Sequence, residues 1–379
     1  MLSDLGAEVI KVEPPAGDLT RFAYPRVNSM STYFTQQNCG KWNVSLDMKQ
    51  PEALGLLQRL AAECDVVVEN FRPGVTRRMG LDYETLSAIN PRLVYATITG
   101  YGHTGPWQRR RAYAAVVQAE AGYMDHQSKG SGLYTNDMMS HADVYTALEC
   151  LTGLLAALYQ RERTGQGQWV EVSMAETMLC VNDHTHWELT GRDAEPGAIP
   201  NFGPGDYPVL ELANGRRVLV AGHPVESGTF EKYVTVMERP DLLDDPRLAD
   251  RRTRVGHLDV VLEALHAWAA TVEDETVLEE AFAAQGVAIG VVRTVQEITE
   301  SEWAEERGAI VEVDDRGGGS VLIPNSPWHF GEAVTGVRGA PAYRGEHNRD
   351  VFGRLLGLDD GALDRLEADG VLTSRVPTR

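Results

Sequence analysis

Positive charge is in short supply in this chain. Its 379 residues carry 35 Lys and Arg against 55 Asp and Glu, a formal net charge of -20 at pH 7. Such a surface repels nucleic-acid phosphates and anionic bilayers, so neither nucleic acid nor membrane is expected as a partner and small molecules are. Cysteine is scarce too. The four present, Cys39, Cys64, Cys150 and Cys180, show no C-x-x-C spacing, which indicates neither a zinc site nor a disulfide framework and fits reduced thiols in the cytoplasm. No run of about eighteen apolar residues occurs. The opening MLSDLGAEVIKVE lacks the charged-then-apolar pattern of an export signal. A dinucleotide fingerprint is also missing, because the G-x-G of TGQGQWVEVSM precedes a strand instead of linking strand to helix. His184 and His186 in HTHWEL would share one face of a strand, but no acidic or cysteine companions complete a metal site. No internal repeat is visible.

What is present reads as α/β. AEVIKVE alternates and then meets Pro14 and Pro15, a strand followed by a loop. DMKQPEALGLLQRLAAEC places Pro51 early in a helix, with Leu54, Leu57, Leu60 and Ala61 on one stripe, and runs into the apolar strand DVVVEN. A second helix, DYETLSAI, leads into LVYATIT. This strand–helix–strand rhythm predicts a parallel sheet covered on both faces, with ligands beyond the carboxyl ends of its strands, near Glu69–Asn70–Phe71 and Gly100–Tyr101–Gly102. At this length two domains are expected. Glycine and proline from GRDAEPGAIPNFGPGDYP mark a crossing into the second, which begins with a hairpin turning at Asn214–Gly215. A GGG turn at Gly317–Gly319 and a last helix, DDGALDRLEADGVL, read as a return to the first domain. The expected boundaries are 1–195 and 310–379 for a large domain and 205–295 for a small α/β domain.

In SHADVYTALECLTGLLAALYQ, residues Val144, Leu148, Leu151, Leu155 and Leu158 recur at helical spacing and define a stripe facing a core. Asp143 stands at the head of that helix. An aspartate there serves as an N-cap, accepting hydrogen bonds from the first free N–H groups and complementing the helix dipole. That is the ordinary role of an aspartate at this place, and a carboxylate kept for chemistry is the rarer alternative.

Several ordered blocks bear on that choice: DLGAEVIKVEPPAGDLTR, NVSLDMKQPE, DVVVENFRPGVTRRMGLDYETLSAINPRLVYATITGYG, ADVYTALECLTGLLAALYQRERTGQGQWVEVSM and GEHNRDV. Together, over nearly the whole chain, they resemble the class III CoA-transferases, the CaiB/BaiF family that includes formyl-CoA transferase. The resemblance implies a large domain with a Rossmann-like parallel sheet, a smaller α/β domain spliced into it, and an interlocked homodimer. It implies no tightly bound cofactor and no metal. Coenzyme A enters as a thioester substrate, with a carboxylic acid as the second partner. Asp143 matches the family nucleophile, which attacks an acyl-CoA and passes through an aspartyl anhydride and an aspartyl-CoA thioester. Leu46, Lys49, Asn70, Phe71, Arg78, Arg111, Tyr113 and Met174 match positions lining the CoA site.

Departures from the pattern are also informative. Racemases of the same fold carry a His-Asp pair where this chain has Tyr113–Ala114, which favours transfer over proton movement at the α-carbon. A non-catalytic CoA-binding protein is the third reading. The glycine-rich loop of the relatives has its nearest counterpart in Gly203–Pro204–Gly205. The resemblance also places a strand and loop of about 25 residues ahead of the position of Met1, the length of a first βα unit. His141, two residues before Asp143, is a candidate to orient it.

Overall fold

The computed structural model describes residues 1–190 and 206–377; Gly203–Pro204–Gly205 lie outside the described residues. Two compact units form, one from Met1–Gln127, Tyr134–Thr185 and Ser301–Arg379, the other from Ser128–Leu133 and His186–Glu300.

In the larger unit, β1 (Val9–Glu13) is followed by a short hairpin of β2 (Arg26–Val27) and β3 (Met30–Ser31), then by β4 (Lys41–Ser45), which pairs in parallel with β1. The helix Pro51–Ala62 comes next, with Pro51 at its first position, where a missing N–H costs nothing. Its core-facing side is Ala53, Leu56, Leu57, Leu60 and Ala61, so Leu56 takes the place expected for Leu54. The reason is geometric, since at 100° per residue Leu56 falls about 40° beyond Leu60 at one edge of the buried arc, while Leu54 lies past Ala61 at the other edge, farther from its centre. Three parallel strands follow in the order β5 (Val66–Glu69), β6 (Val94–Thr99) and β7 (Trp169–Ser173). The expected α/β class with parallel strands is what the chain adopts.

The residues at both ends of this unit are sewn together around β4. Ser45 N–H donates to Asn348 Oδ1 at 2.9 Å, Asn43 N–H to His347 Nδ1 at 3.0 Å, and Thr373 N–H to the Ser45 carbonyl. Val351, Phe352, Leu363, Leu366 and Leu372 then bury against Val44, Leu46 and the Pro51–Ala62 helix. A second hairpin, β11 (Ile310–Asp314) with β12 (Ser320–Pro324), turns through Gly317–Gly319. In the smaller unit β8 (Val209–Glu211) and β9 (Arg217–Val220) form the hairpin read from Asn214–Gly215, and β10 (Ile289–Val291) extends it. Helices Thr229–Val236, Leu258–Ala269 and Glu275–Ala284 cover that sheet around Tyr233, Phe230 and Phe282.

The helix His141–Thr164 overturns one expectation. Its buried side is made largely of small residues, Ala142, Thr146, Cys150 and Ala157, with Leu151 and Leu154, and of these Cys150, Leu154 and Ala157 pack against β6 and β7. Of the expected stripe only Leu151 is buried, while Val144, Leu148 and Leu155 are 51%, 39% and 44% exposed and Leu158 is half-buried. Both faces of this helix are apolar, so periodicity could not choose between them; close approach to a sheet selects the smaller side chains. HTHWEL likewise departs from expectation, forming a helix over Thr185–Thr190 instead of a strand.

A buried ion pair closes the exit of β1. Glu13, 1% exposed, accepts from Arg21 Nε and Nη2 at 2.8 Å, from Asn43 Nδ2 at 2.7 Å and from the Asp18 N–H at 3.0 Å. Burial pushes its carboxyl up, but Arg21 and the other donors outweigh this and hold it below 4.5. The contribution to stability is therefore complete above pH 4.5 and is lost as pH falls through the lower folded value. Glu13→Ala leaves Arg21 uncompensated and is expected to cost about 3–5 kcal/mol in urea unfolding at pH 7. The loss should shrink when the same titration is run below pH 3.

Candidate active site

Asp143 occupies the third position of its helix, not the cap. Ser140 is the N-cap residue and makes no side-chain cap bond. Of the first-turn N–H groups, that of Ala142 goes to Gln118 Oε1 at 3.3 Å and that of Val144 to the Ser140 carbonyl at 3.0 Å. The Asp143 carboxylate has no hydrogen bond and no ion pair among the described residues. The residue keeps an open side to solvent, yet burial of its surroundings holds the carboxyl above the usual carboxylate range.

The neighbours of Asp143 assemble three helices. Ala142, Ala114 and Val117 of the helix Ala114–Glu120, and Met174 and Met178 of the helix Met174–Val181 pack into one small cluster, with Tyr101 and Tyr145 at its edge. Tyr113, the residue before Ala114, is 71% exposed. His141 does not orient Asp143. Its Nδ1 lies 2.6 Å from Asp137 Oδ2 and 3.1 Å from the Tyr123 hydroxyl, and its ring stacks on Tyr145. Residues at i and i+2 of a helix point to different sides, which is why adjacency in sequence misleads here.

A cavity of about 730 Å³ opens beside the carboxyl end of β5. Its floor is one face of the parallel sheet. The register aligns Glu69, Thr97 and Glu171 in a row across β5, β6 and β7, with Tyr95 and Trp169 in the row beneath. Trp169 Nε1 donates to Thr97 Oγ1 at 2.8 Å, and His103 meets Glu171 Oε1 through both its backbone N–H and Nδ1. Burial pushes the Glu69 carboxyl up, against the pull of the Phe71 N–H, His103 and Thr97. The walls carry Arg72, Arg77, Arg78 and Arg109. Arg77 pairs with Glu84 at 3.3 Å. The other three guanidiniums have no ion pair among the described residues. In a chain of net charge -20, three uncommitted guanidiniums around one cavity suit an anion with several charges.

The eight residues expected around CoA are distributed unevenly. Arg78 lines this cavity, while Asn70 and Phe71 are exposed just beyond β5, joined to its floor by the 2.7 Å bond from Phe71 N–H to Glu69. Arg111 and Tyr113 are exposed ahead of the helix that packs against the Asp143 helix. Met174 is buried in the shared cluster and Lys49 is exposed. Leu46 is fully buried among core side chains. Glu69 lies where the sequence placed a ligand, whereas Arg72, Arg109, Thr97, Trp169 and His103 were not singled out as cavity residues. For Thr97 and Trp169 the signal was polar and aromatic residues within VYATIT and WVEVS, which in a fully covered parallel sheet should be apolar.

The description "CoA-transferase family III" fits residues 1–348. The chain belongs to that family. It is 30% identical over 376 residues to succinyl-CoA:glutarate CoA-transferase of Mus musculus, covering 98% of this chain and 85% of the relative. With formyl-CoA:oxalate CoA-transferase of Streptomyces avermitilis the identity is 32% over 403 residues, covering 98% and 94%. Among solved structures, a CaiB/BaiF family protein from Brucella suis superposes with a TM-score of 0.79 at 31% identity, covering 93% of both chains. The chain is a family III CoA-transferase, moving CoA between acyl-CoA thioesters and carboxylic acids. No helix among the described residues is long and apolar enough to cross a membrane.

The free carboxylate yields a stability prediction. Because the folded state holds the Asp143 carboxyl above its ordinary value of 3.8, it binds more protons than the unfolded chain just above that pH. Wild-type stability should therefore fall as pH rises through this window. Asp143→Asn should remove that slope and be at least as stable as wild type at pH 7 in thermal unfolding. Loss of a cap would instead cost about 0.5–2 kcal/mol.

Proposed function

We propose that Asp143 is the nucleophile of this CoA-transferase. Its carboxylate attacks the thioester carbonyl, forming a mixed anhydride and releasing CoA thiolate; the thiolate attacks the aspartyl carbonyl, leaving an aspartyl-CoA thioester and a free acid. A second carboxylate runs the sequence in reverse. One thioester replaces another, so the exchange is near thermoneutral. The observation that carries this reading is the carboxylate itself, unbonded, partly desolvated and set at a helix N-terminus, where developing negative charge is stabilised.

The arginine-walled cavity is the place we assign to the phosphates of CoA, with Arg72 and Arg109 added to Arg78, and with Asn70 and Phe71 at its lip. Lys49, Arg111 and Tyr113 extend the same surface, while Met174, packed in the cluster behind Asp143, would bear on the pantetheine end. The relatives' names pair CoA with glutarate and oxalate, and a small dicarboxylic acid is the acceptor class we propose. We read the large unit as Rossmann-like. The exposed apolar side of the Asp143 helix, Val144, Leu148, Leu155 and Tyr159, supports a homodimer, which the family resemblance makes an interlocked one. A cytoplasmic setting, where thiols stay reduced, accompanies the reading.

Transfer of label from a free acid into acyl-CoA tests the function across a panel of short dicarboxylic acids and acyl donors. Asp143→Ala should lower exchange about 10³-fold or more, and hydroxylamine should trap a derivative on the Asp143 peptide only in wild type. Exchange that persists in Asp143→Ala sinks the assignment. Arg78→Ala and Arg109→Ala should each raise KM for CoA about tenfold or more while leaving kcat nearly unchanged, as expected for a lost charge-assisted bond of about 1.5–3 kcal/mol.

A further inference from the structure

Lysine is rare here. Of the 35 basic residues only Lys11, Lys41, Lys49, Lys129 and Lys232 are lysines. Lys11 is held by Asp18 at 2.6 Å. Lys41, at the start of β4, is different. Its Nζ donates to the neutral Asn38 Oδ1 at 3.1 Å and has no ion pair among the described residues, which leaves two of its three donors uncommitted.

Lys41 lines a second cavity of about 220 Å³, away from Asp143 and from the arginine-walled cavity, with Trp42, Gly40, Arg316, Glu346 and His347 around it. The charged groups facing it are few and nearly balanced. Arg316 is bonded to Glu346, and His347 accepts the Asn43 N–H on Nδ1, which leaves the ring's proton on Nε2 in its neutral form. Desolvation by burial, with Lys11 nearby, brings the Lys41 ammonium down to about 8, against the opposing pull of Asp4, Asp18 and Cys39. An amine that lines a cavity and is neutral in a fraction of molecules near pH 7.5, on an enzyme whose substrates are thioesters, has an available electrophile.

We infer that Lys41 is a self-acylation site for the enzyme's own class of acyl-CoA substrate. The neutral ε-amine attacks the thioester carbonyl; the N–C amide bond forms, the C–S bond breaks, and CoA leaves as the thiol, taking the proton given up by the amine. Unlike exchange at a carboxylate, this step converts a thioester into an amide and does not reverse. It removes the positive charge from the start of β4 and fills the cavity with an acyl group. The inference rests on acyl-CoA being the substrate class and not on the identity of the nucleophile.

The test incubates the purified full chain with succinyl-CoA and, separately, acetyl-CoA from pH 6.5 to 9.5, and maps acyl-lysines by peptide mass spectrometry. At pH 7.5 Lys41 should be modified about tenfold or more faster than the exposed Lys49. The Lys41 rate should level off above pH 8. Modification of Lys41 no faster than Lys49, or a Lys41 rate that keeps climbing to pH 9.5, overturns the inference. Asp143→Asn should lose CoA exchange and keep Lys41 acylation; loss of both would route the acyl group through Asp143 and refute direct attack. Lys41→Arg should abolish the modification at that peptide while keeping the circular dichroism spectrum of wild type.

Discussion

Contact between a helix face of small side chains and two parallel strands sets the position of the chemistry in the large unit. Cys150 and Ala157, on either side of Leu154, let the His141–Thr164 helix approach β6 and β7 closely, which larger residues would prevent. At its far end Arg161, 8% exposed, bonds the carbonyls of Asp65 and Arg92 at the entry of β5 and β6. With that end pinned at the strand entries, the first turn, roughly 27 Å away at 1.5 Å per residue, must emerge near the strand exits, where ligands of parallel sheets gather. Asp143, the proposed nucleophile, is thereby carried toward the exit end of the strands by packing alone, with no bond to its own carboxylate among the described residues.

Charge is distributed to the same purpose. Many arginines are neutralised locally, Arg349 by Asp364 and Glu367, Arg365 by Glu52, and Arg216 by Glu275 and Glu297. Arg72, Arg78 and Arg109, which line one cavity, have no ion pair among the described residues. If that cavity takes the phosphates of CoA as proposed, repulsion from the acidic surface elsewhere favours it over the rest of the molecule. Glu69 and His103 line the same cavity, so acceptors as well as donors face a ligand there.

Much of this was legible in the sequence, and what was not has identifiable causes. VIKVE, VVVE and VYATIT form strands because their β-branched and aromatic residues are bounded by turn formers, and Asn214–Gly215 turns the hairpin for the same local reasons. Asp143 was placed at the correct helix end, but as a cap instead of three residues inside the Ser140 cap, since its hydrogen bonds could not be read from spacing. The buried side of that helix was misjudged because leucine hydrophobicity and close packing point to opposite faces. Of the two readings open for His141, the packing one fits, for Asp137 reaches it from the preceding loop. The cavity floor needed the register of three strands at once, which no single segment carries.

The stitching of residues 343–375 onto β4 has a consequence for synthesis. Asn43 and Ser45 meet their partners His347 and Asn348 across more than 300 positions of sequence. On a ribosome adding about 5–20 residues per second, β4 waits roughly 15–60 s for the segment that covers it. The Leu210 to Val287 core of the smaller unit is fully translated within that interval. During elongation the smaller unit's core sequence is therefore complete while β4 of the larger one still lacks the segment that covers its apolar side.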